Sequence, residues 1–122
     1  MPISTATLQI RIRLKHRNGV VLGPGKAQLL EGIAETGSIA AAGRKMEMSY
    51  KRAWMMIESM NAAFGGPLVD KNRGGSSGGG AVLTKLGSEV LGLYLQLTET
   101  AIKATVEQRS ALETLLALTA KE

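Results

Sequence analysis

Leu8, Ile10, Ile12 and Leu14 alternate with Gln9, Arg11, Arg13 and Lys15, a period of two that predicts a half-buried strand over residues 8–15. Asn18-Gly19 then supplies a pair suited to a tight turn, so Val20-Val21-Leu22 is expected to return as a short partner strand. Gly23-Pro24-Gly25 closes this region, with Pro24 placed where proline opens a helix. The period changes from there on. Leu29, Leu30 and Ile33 recur at helical spacing from Lys26 to Gly37, a glycine in the position of a helix terminator. Ser38 can cap a second helix, Ile39 to about Lys45, whose Ala40-Ala41-Ala42-Gly43 run permits close helix contact. Ser49 is the next N-cap candidate. It precedes an amphipathic helix to about Phe64, with Ala53, Ile57, Met60 and Phe64 at i, i+4, i+7 and i+11.

Gly65-Gly66-Pro67 ends that third helix, Leu68-Val69 begins an extended segment, and Ala81-Val82-Leu83 returns after the glycine-rich run 74–80. The expectation is a hairpin with a long tip. Thr84 can cap a final helix of about thirty residues, in which Leu86, Val90, Leu93, Leu97 and Ala101 form a stripe continuing to Leu112, Leu115 and Leu116. So long a stripe exceeds what one small domain can cover. Those five positions are therefore assigned to contact with a second copy of the chain.

Composition narrows the chemistry. The chain has 122 residues, one domain's worth, and only 3% are aromatic, so an aliphatic, helical core is expected. There is no cysteine and a single histidine, His16, which removes thiolate metal sites and makes a His-based metal cage or a serine triad hard to assemble. No catalytic residue, metal site or cofactor is expected, and the chain is read as a binding protein, not an enzyme. No run of eighteen apolar residues occurs, and Arg11, Arg13, Lys15, His16 and Arg17 stand where a signal peptide would be apolar, so a cytoplasmic protein without a membrane partner is expected. The net charge of +5 is unevenly spread: residues 1–85 hold 12 basic and 5 acidic side chains, residues 86–122 hold 3 and 5. The basic part is the first two-thirds.

Three helices with a short turn between the second and third, followed by a glycine-tipped hairpin, is the order of a winged helix-turn-helix. The predicted fold class is thus mainly α (α+β), with residues 1–83 as a DNA-binding unit. Its helix-turn-helix covers about 38–64 and its wing about 67–83, and 84–122 forms a dimerisation helix in the same compact body. Projection at about 100° per residue puts Lys51, Met55, Glu58, Ser59 and Ala62 opposite the buried stripe of the third helix, with Arg52 flanking. Insertion of its basic N-terminal end into a major groove brings Ser49, Tyr50, Lys51 and Arg52 to bases or phosphates. Arg44 and Lys45 are read either as phosphate contacts or as solvated charges. In the wing, Lys71 and Arg73 flank a loop whose Gly74, Gly75, Ser76, Ser77 and Gly78 let a backbone approach phosphate closely, although a plain flexible loop has the same composition. The nucleotide-binding alternative fails on spacing, since no G-x-x-x-x-G-K-[ST] or strand-borne G-x-G-x-x-G is present. Trp54, about 100° from the centre of the buried stripe, is read at the edge of the core, with contact to DNA as the alternative.

Gly37-Ser38-Ile39, Ser49-Tyr50-Lys51 through Ala53-Trp54, and the run from Gly74 to Thr84 occur together in colinear order. In this the chain resembles the N-terminal DNA-binding domain of the molybdate-responsive ModE regulators, over about residues 8–105. The resemblance implies a winged helix-turn-helix related to that of the LysR-type regulators, a homodimer and an inverted-repeat operator in double-stranded DNA. It also implies that Ser49 to Arg52 form the recognition region and Lys71, Arg73 and the glycine loop the wing. Full-length members carry C-terminal molybdate-binding modules for which no counterpart is found here, so molybdate is not expected to bind this chain directly. A separate oxyanion-sensing protein is an open partner. The reading reached is a homodimeric transcriptional regulator of molybdenum transport or use. Its rival is a protein-interaction module that modulates another regulator through the long C-terminal helix.

Overall fold

The computed structural model describes residues 7–17, 19–72 and 80–121. Leu14–His16 (β1) and Gly19–Leu22 (β2) form an antiparallel hairpin in which Lys15 stands opposite Val20. Three helices follow: Pro24–Thr36 (α1), Ile39–Lys45 (α2) and Tyr50–Ala63 (α3). Val69–Asn72 (β3) and Gly80–Leu83 (β4) make the second antiparallel hairpin, and Lys85–Ala104 (α4) and Val106–Lys121 (α5) complete the chain. Among the described residues no helix is long and apolar enough to cross a membrane.

Local signals in the sequence set most boundaries. Pro24 sits in the first turn of α1, and Gly37 ends it in the left-handed region with φ 71°, its N–H on the Ile33 carbonyl. Ser38 and Ser49 cap α2 and α3, each hydroxyl accepting from a backbone N–H at 3.0 Å, that of Ala41 and that of Arg52. The α2–α3 turn is tight enough to hold Glu47 at φ 56°, an uncommon conformation outside glycine. Small residues let the helices close on each other, since a methyl added at Gly32 would lie 2.9 Å from Ala42 Cβ.

The core sits where α1, α3 and the base of the second hairpin meet. Leu29, Leu30, Ile33, Ile57, Met60, Leu68 and Val69 are fully buried there. Gly37 of the α1–α2 corner accepts from the Ala81 N–H at 2.9 Å, fastening β4 to the helices. Leu91 and Tyr94 close the core from α4.

Two expectations need correction. The strand read over 8–15 is a ladder only from Leu14; residues 8–13 keep the alternating burial but have no strand partner among the described residues. They lie along α4 and α5 instead, with the Tyr94 hydroxyl donating to the Ile12 carbonyl at 2.7 Å and the Leu8 N–H to the Glu113 carboxylate at 2.9 Å. The single final helix is in fact two. At Thr105 the hydroxyl turns back onto the Ala101 carbonyl (2.8 Å), and the Arg109 guanidinium takes the Ile102 carbonyl (2.6 Å) that a continuous helix would have used. The α4 stripe also divides: Leu86 and Val90 pack against the domain's own core, whereas Leu93 and Leu97 are exposed.

Candidate nucleic-acid interface

The face of α3 turned away from the core is uncovered. Ala53, Ile57 and Met60 are buried, while Tyr50, Lys51, Arg52, Met55, Ser59 and Ala62 are exposed, so the projection from sequence holds except at half-buried Glu58. Lys51 and Arg52 make no side-chain hydrogen bond or ion pair with any described residue, and neither does Arg44 at the end of α2. Three cations thus stand unpaired near the start of α3, where the helix N-terminus adds positive potential. Ser49 is nearby, its oxygen accepting as the cap and its O–H still available to donate. Lys45 is engaged by Glu35 at 2.6 Å. That hydrogen bond and charge hold the Glu35 carboxyl below its ordinary pKa.

One flank of α3 is locked to the second hairpin. Lys71 of β3 is ion-paired with Glu58 and lies 4.4 Å above the Trp54 ring. Trp54 is 38% exposed beneath that cation. Asn61 completes the joint: its side-chain oxygen accepts from Leu68 N–H (2.8 Å) and Val69 N–H (3.2 Å), and its amide donates to the Val69 carbonyl (3.3 Å). Arg73, Gly74, Gly75, Ser76, Ser77 and Gly78 lie outside the described residues.

The other flank holds a hollow lined by Lys26, Ser49, Lys51, Arg52, Ser59 and the side chains of Met55 and Met56, with no carboxylate in its lining. Lys26 donates to the Val20 carbonyl at 2.6 Å and to the Ser59 hydroxyl at 3.3 Å, and partial burial lowers its pKa. Lys26 and Asn61 were not legible as site residues, and Glu58 and Ser59 were legible only as members of the outward face of α3. Each acts through a contact distant in sequence, for which helical periodicity carries no signal.

Residues 25–88 match the family described as bacterial regulatory helix-turn-helix protein, lysR family, a span running from the start of α1 through the first turn of α4. This chain belongs to that family. The ModE resemblance read from the motifs is also found directly. The chain is 34% identical over 116 residues to the transcriptional regulator ModE of Haemophilus influenzae, covering 93% of this chain and 46% of that protein. It is 38% identical over 96 residues to the ModE dual regulator of Escherichia coli K12, covering 79% and 37%. It is 42% identical over 79 residues to the molybdenum-pterin-binding protein MopB of Rhodobacter capsulatus, covering 65% and 29%. The chain therefore spans less than half the length of these curated relatives. Among solved structures, the CbnR DNA-binding domain, crystallised with DNA, superposes with a TM-score of 0.58 at 22% identity, over 72% of this chain and 95% of that one. That likeness establishes the winged helix-turn-helix fold. The lysR-family membership favours a DNA-binding regulator, and none of the relatives described supports the interaction-module rival.

Proposed function

We propose that this chain binds double-stranded DNA as a transcriptional regulator of molybdenum-related genes, with α3 as the recognition helix. The observation that carries the reading is the uncovered N-terminal half of α3, with Lys51 and Arg52 exposed and unpaired while both flanks of the helix are fastened to hairpins. Support for the regulon comes from relatives named as ModE regulators and molybdenum transport proteins. Lys51 and Arg52 donate to guanine edges or phosphates, Arg44 to the adjoining backbone, and the 73–79 tip tracks the neighbouring strand. Lys45 and Lys71, already paired, shape the site. The protein acts as a homodimer in the cytoplasm through the exposed part of α4 and α5, and reads a two-fold symmetric site. Molybdate is sensed outside these residues, and binding is the whole of the mechanism.

The test is retention of genomic fragments with and without molybdate, alongside Lys51→Glu combined with Arg52→Glu. Wild-type protein enriches an inverted repeat near molybdenum-related genes. The double variant, altering two exposed side chains, keeps its fold and loses DNA. If a dimer neutralises six to ten phosphates, wild-type affinity falls about 10³- to 10⁵-fold between 50 and 200 mM salt. Equal retention of DNA by the double variant, or a salt-insensitive complex, contradicts the proposal.

A further inference from the structure

Residues 1–30 contain Arg11, Arg13, Lys15, Arg17 and Lys26 and no Asp or Glu, and the β1–β2 hairpin lies ahead of the residues 25–88 that match the family. The hairpin is nonetheless built into the α3 site. Through its bonds to the Val20 carbonyl and the Ser59 hydroxyl, the single Lys26 ammonium ties β2, α1 and α3 together. At about 100° per residue, Met56 and Ser59 fall on the flank of α3 opposite Trp54 and Asn61, which meet β3 and the segment before it. The recognition helix is thus held between two hairpins.

The flank facing β1–β2 is cationic and open. Lys15 pairs across the ladder with Val20, and Arg17 follows at the end of the strand. Both are exposed, and among the described residues Arg17 hydrogen-bonds only His16, at 3.3 Å, while Lys15 has no side-chain hydrogen-bond or ion-pair partner. An ammonium has three donors, of which Lys26 has used two, and Lys26 lines a hollow shared with two further cations, two hydroxyls and two methionines. A half-buried cation without a countercharge gains from an anion delivered into that hollow.

We propose that this flank is a phosphate clamp: Lys26 in the hollow, with Lys15 and Arg17 on the β1–β2 hairpin, holds the DNA backbone on the side of α3 away from the wing. The clamp rests on the DNA-binding reading above. It makes the first hairpin a second arm of the interface. Its ligand is the phosphodiester backbone, so it adds affinity and orientation without sequence preference.

The test measures binding of a short mixed-sequence duplex by fluorescence anisotropy from 50 to 200 mM salt. The proteins are wild type, Lys15→Gln with Arg17→Gln, Lys26→Met, and Lys103→Gln at the far end of α4 as a control for the change in charge. Each phosphate no longer neutralised lowers the slope of log affinity against log salt by about 0.9, or 3- to 4-fold less salt sensitivity over this range. The hairpin double variant is expected to release about two phosphates per protomer, Lys26→Met about one, and the control none. Lys26→Met also cuts the tie to β2. Should it loosen the fold, the double variant, which removes no hydrogen bond among the described residues but that to His16, carries the test alone. An unchanged slope in a folded double variant overturns the clamp. Absence of duplex binding by wild type instead overturns the underlying reading.

Discussion

Gly87→Ala is expected to break the joint between α4 and the second hairpin. Gly87 lies in the first turn of α4, its N–H held 2.9 Å from the Thr84 hydroxyl, and Thr84 is itself fixed through its N–H to the Leu68 carbonyl (2.9 Å) and its O–H to the Pro67 carbonyl (2.7 Å). A methyl at position 87 would overlap the Leu68 carbonyl oxygen and come within 2.9 Å of the carbonyl carbon. Nothing there can swing aside: the obstacle is backbone, the Leu68 side chain is fully buried, and its N–H is held by Asn61. Helix propensity favours Ala over Gly by up to about 1 kcal/mol. Overpacking costs about 1–3 kcal/mol, and more when backbone must move, so the net loss is about 2 kcal/mol or greater. For a domain of this size that is a fall of roughly 6–12 °C in Tm. The same substitution at Gly32 meets a fixed methyl, Ala42 Cβ, at 2.9 Å, and at Gly43 it meets Ala53 Cβ at 3.3 Å. Thermal melts followed by circular dichroism should therefore rank the losses Gly87, Gly32, Gly43. A Gly87→Ala protein as stable as wild type, or less affected than Gly43→Ala, would refute the packing argument.

Asn61→Ala strands the Leu68 and Val69 N–H groups and is expected to cost about 2–3 kcal/mol in urea unfolding, with Asn61→Asp, which keeps the accepting oxygen, losing less; equal losses would contradict this. Lys71→Met removes a cation from above Trp54 and frees Glu58, and because the chain has a single tryptophan its emission reports the change directly. A changed emission with about 1 kcal/mol or less of lost stability is expected, and an unchanged spectrum would deny the cation's place over the ring. Leu93→Glu with Leu97→Glu should convert the proposed dimer to a folded monomer in analytical ultracentrifugation, whereas Leu86→Ala or Val90→Ala should lower stability without changing mass. Glutamate variants that stay dimeric would move the subunit interface elsewhere.

What the sequence made legible follows from the range of each signal. Caps and terminators act within four residues, so Pro24, Gly37, Ser38 and Ser49 could be read one by one, and the bounds of α1, α2 and α3 fall where those residues put them. The buried stripe of α3 was legible for the same reason. Period alone, however, does not say what covers a face. The alternation over residues 8–13 is real, but it arises from packing on α4 and α5 and not from a ladder. On α4 the stripe of Leu and Val was read as one surface, although the core claims Leu86 and Val90 and recruits Leu91 and Tyr94, two positions outside that stripe. Lys71 illustrates the limit at the site. Its charge marked it as a phosphate contact, but its ties to Glu58, thirteen residues earlier, and to Trp54 are tertiary facts with no local signature.

These pairings also shape the field the domain presents. Glu58 and Glu35 are each matched to a lysine, Lys71 and Lys45, so two negative charges near the α2–α3 unit are compensated locally. Lys51, Arg52 and Arg44 are left without such compensation among the described residues, and the acids Glu89, Glu99 and Glu107 are carried on α4 and α5. Lys71 contributes even apart from any phosphate contact, because its pairing compensates the Glu58 carboxylate, which would otherwise repel one. The consequence is separable from direct contact. Neutralising Glu58 together with Lys71 leaves the net charge of the face unchanged, and so should leave the long-range attraction of DNA intact while loosening the wing. If the chain binds DNA as proposed, the two ion pairs bear on the orientation of a bound duplex, and the unpaired cations on how fast and how tightly it arrives.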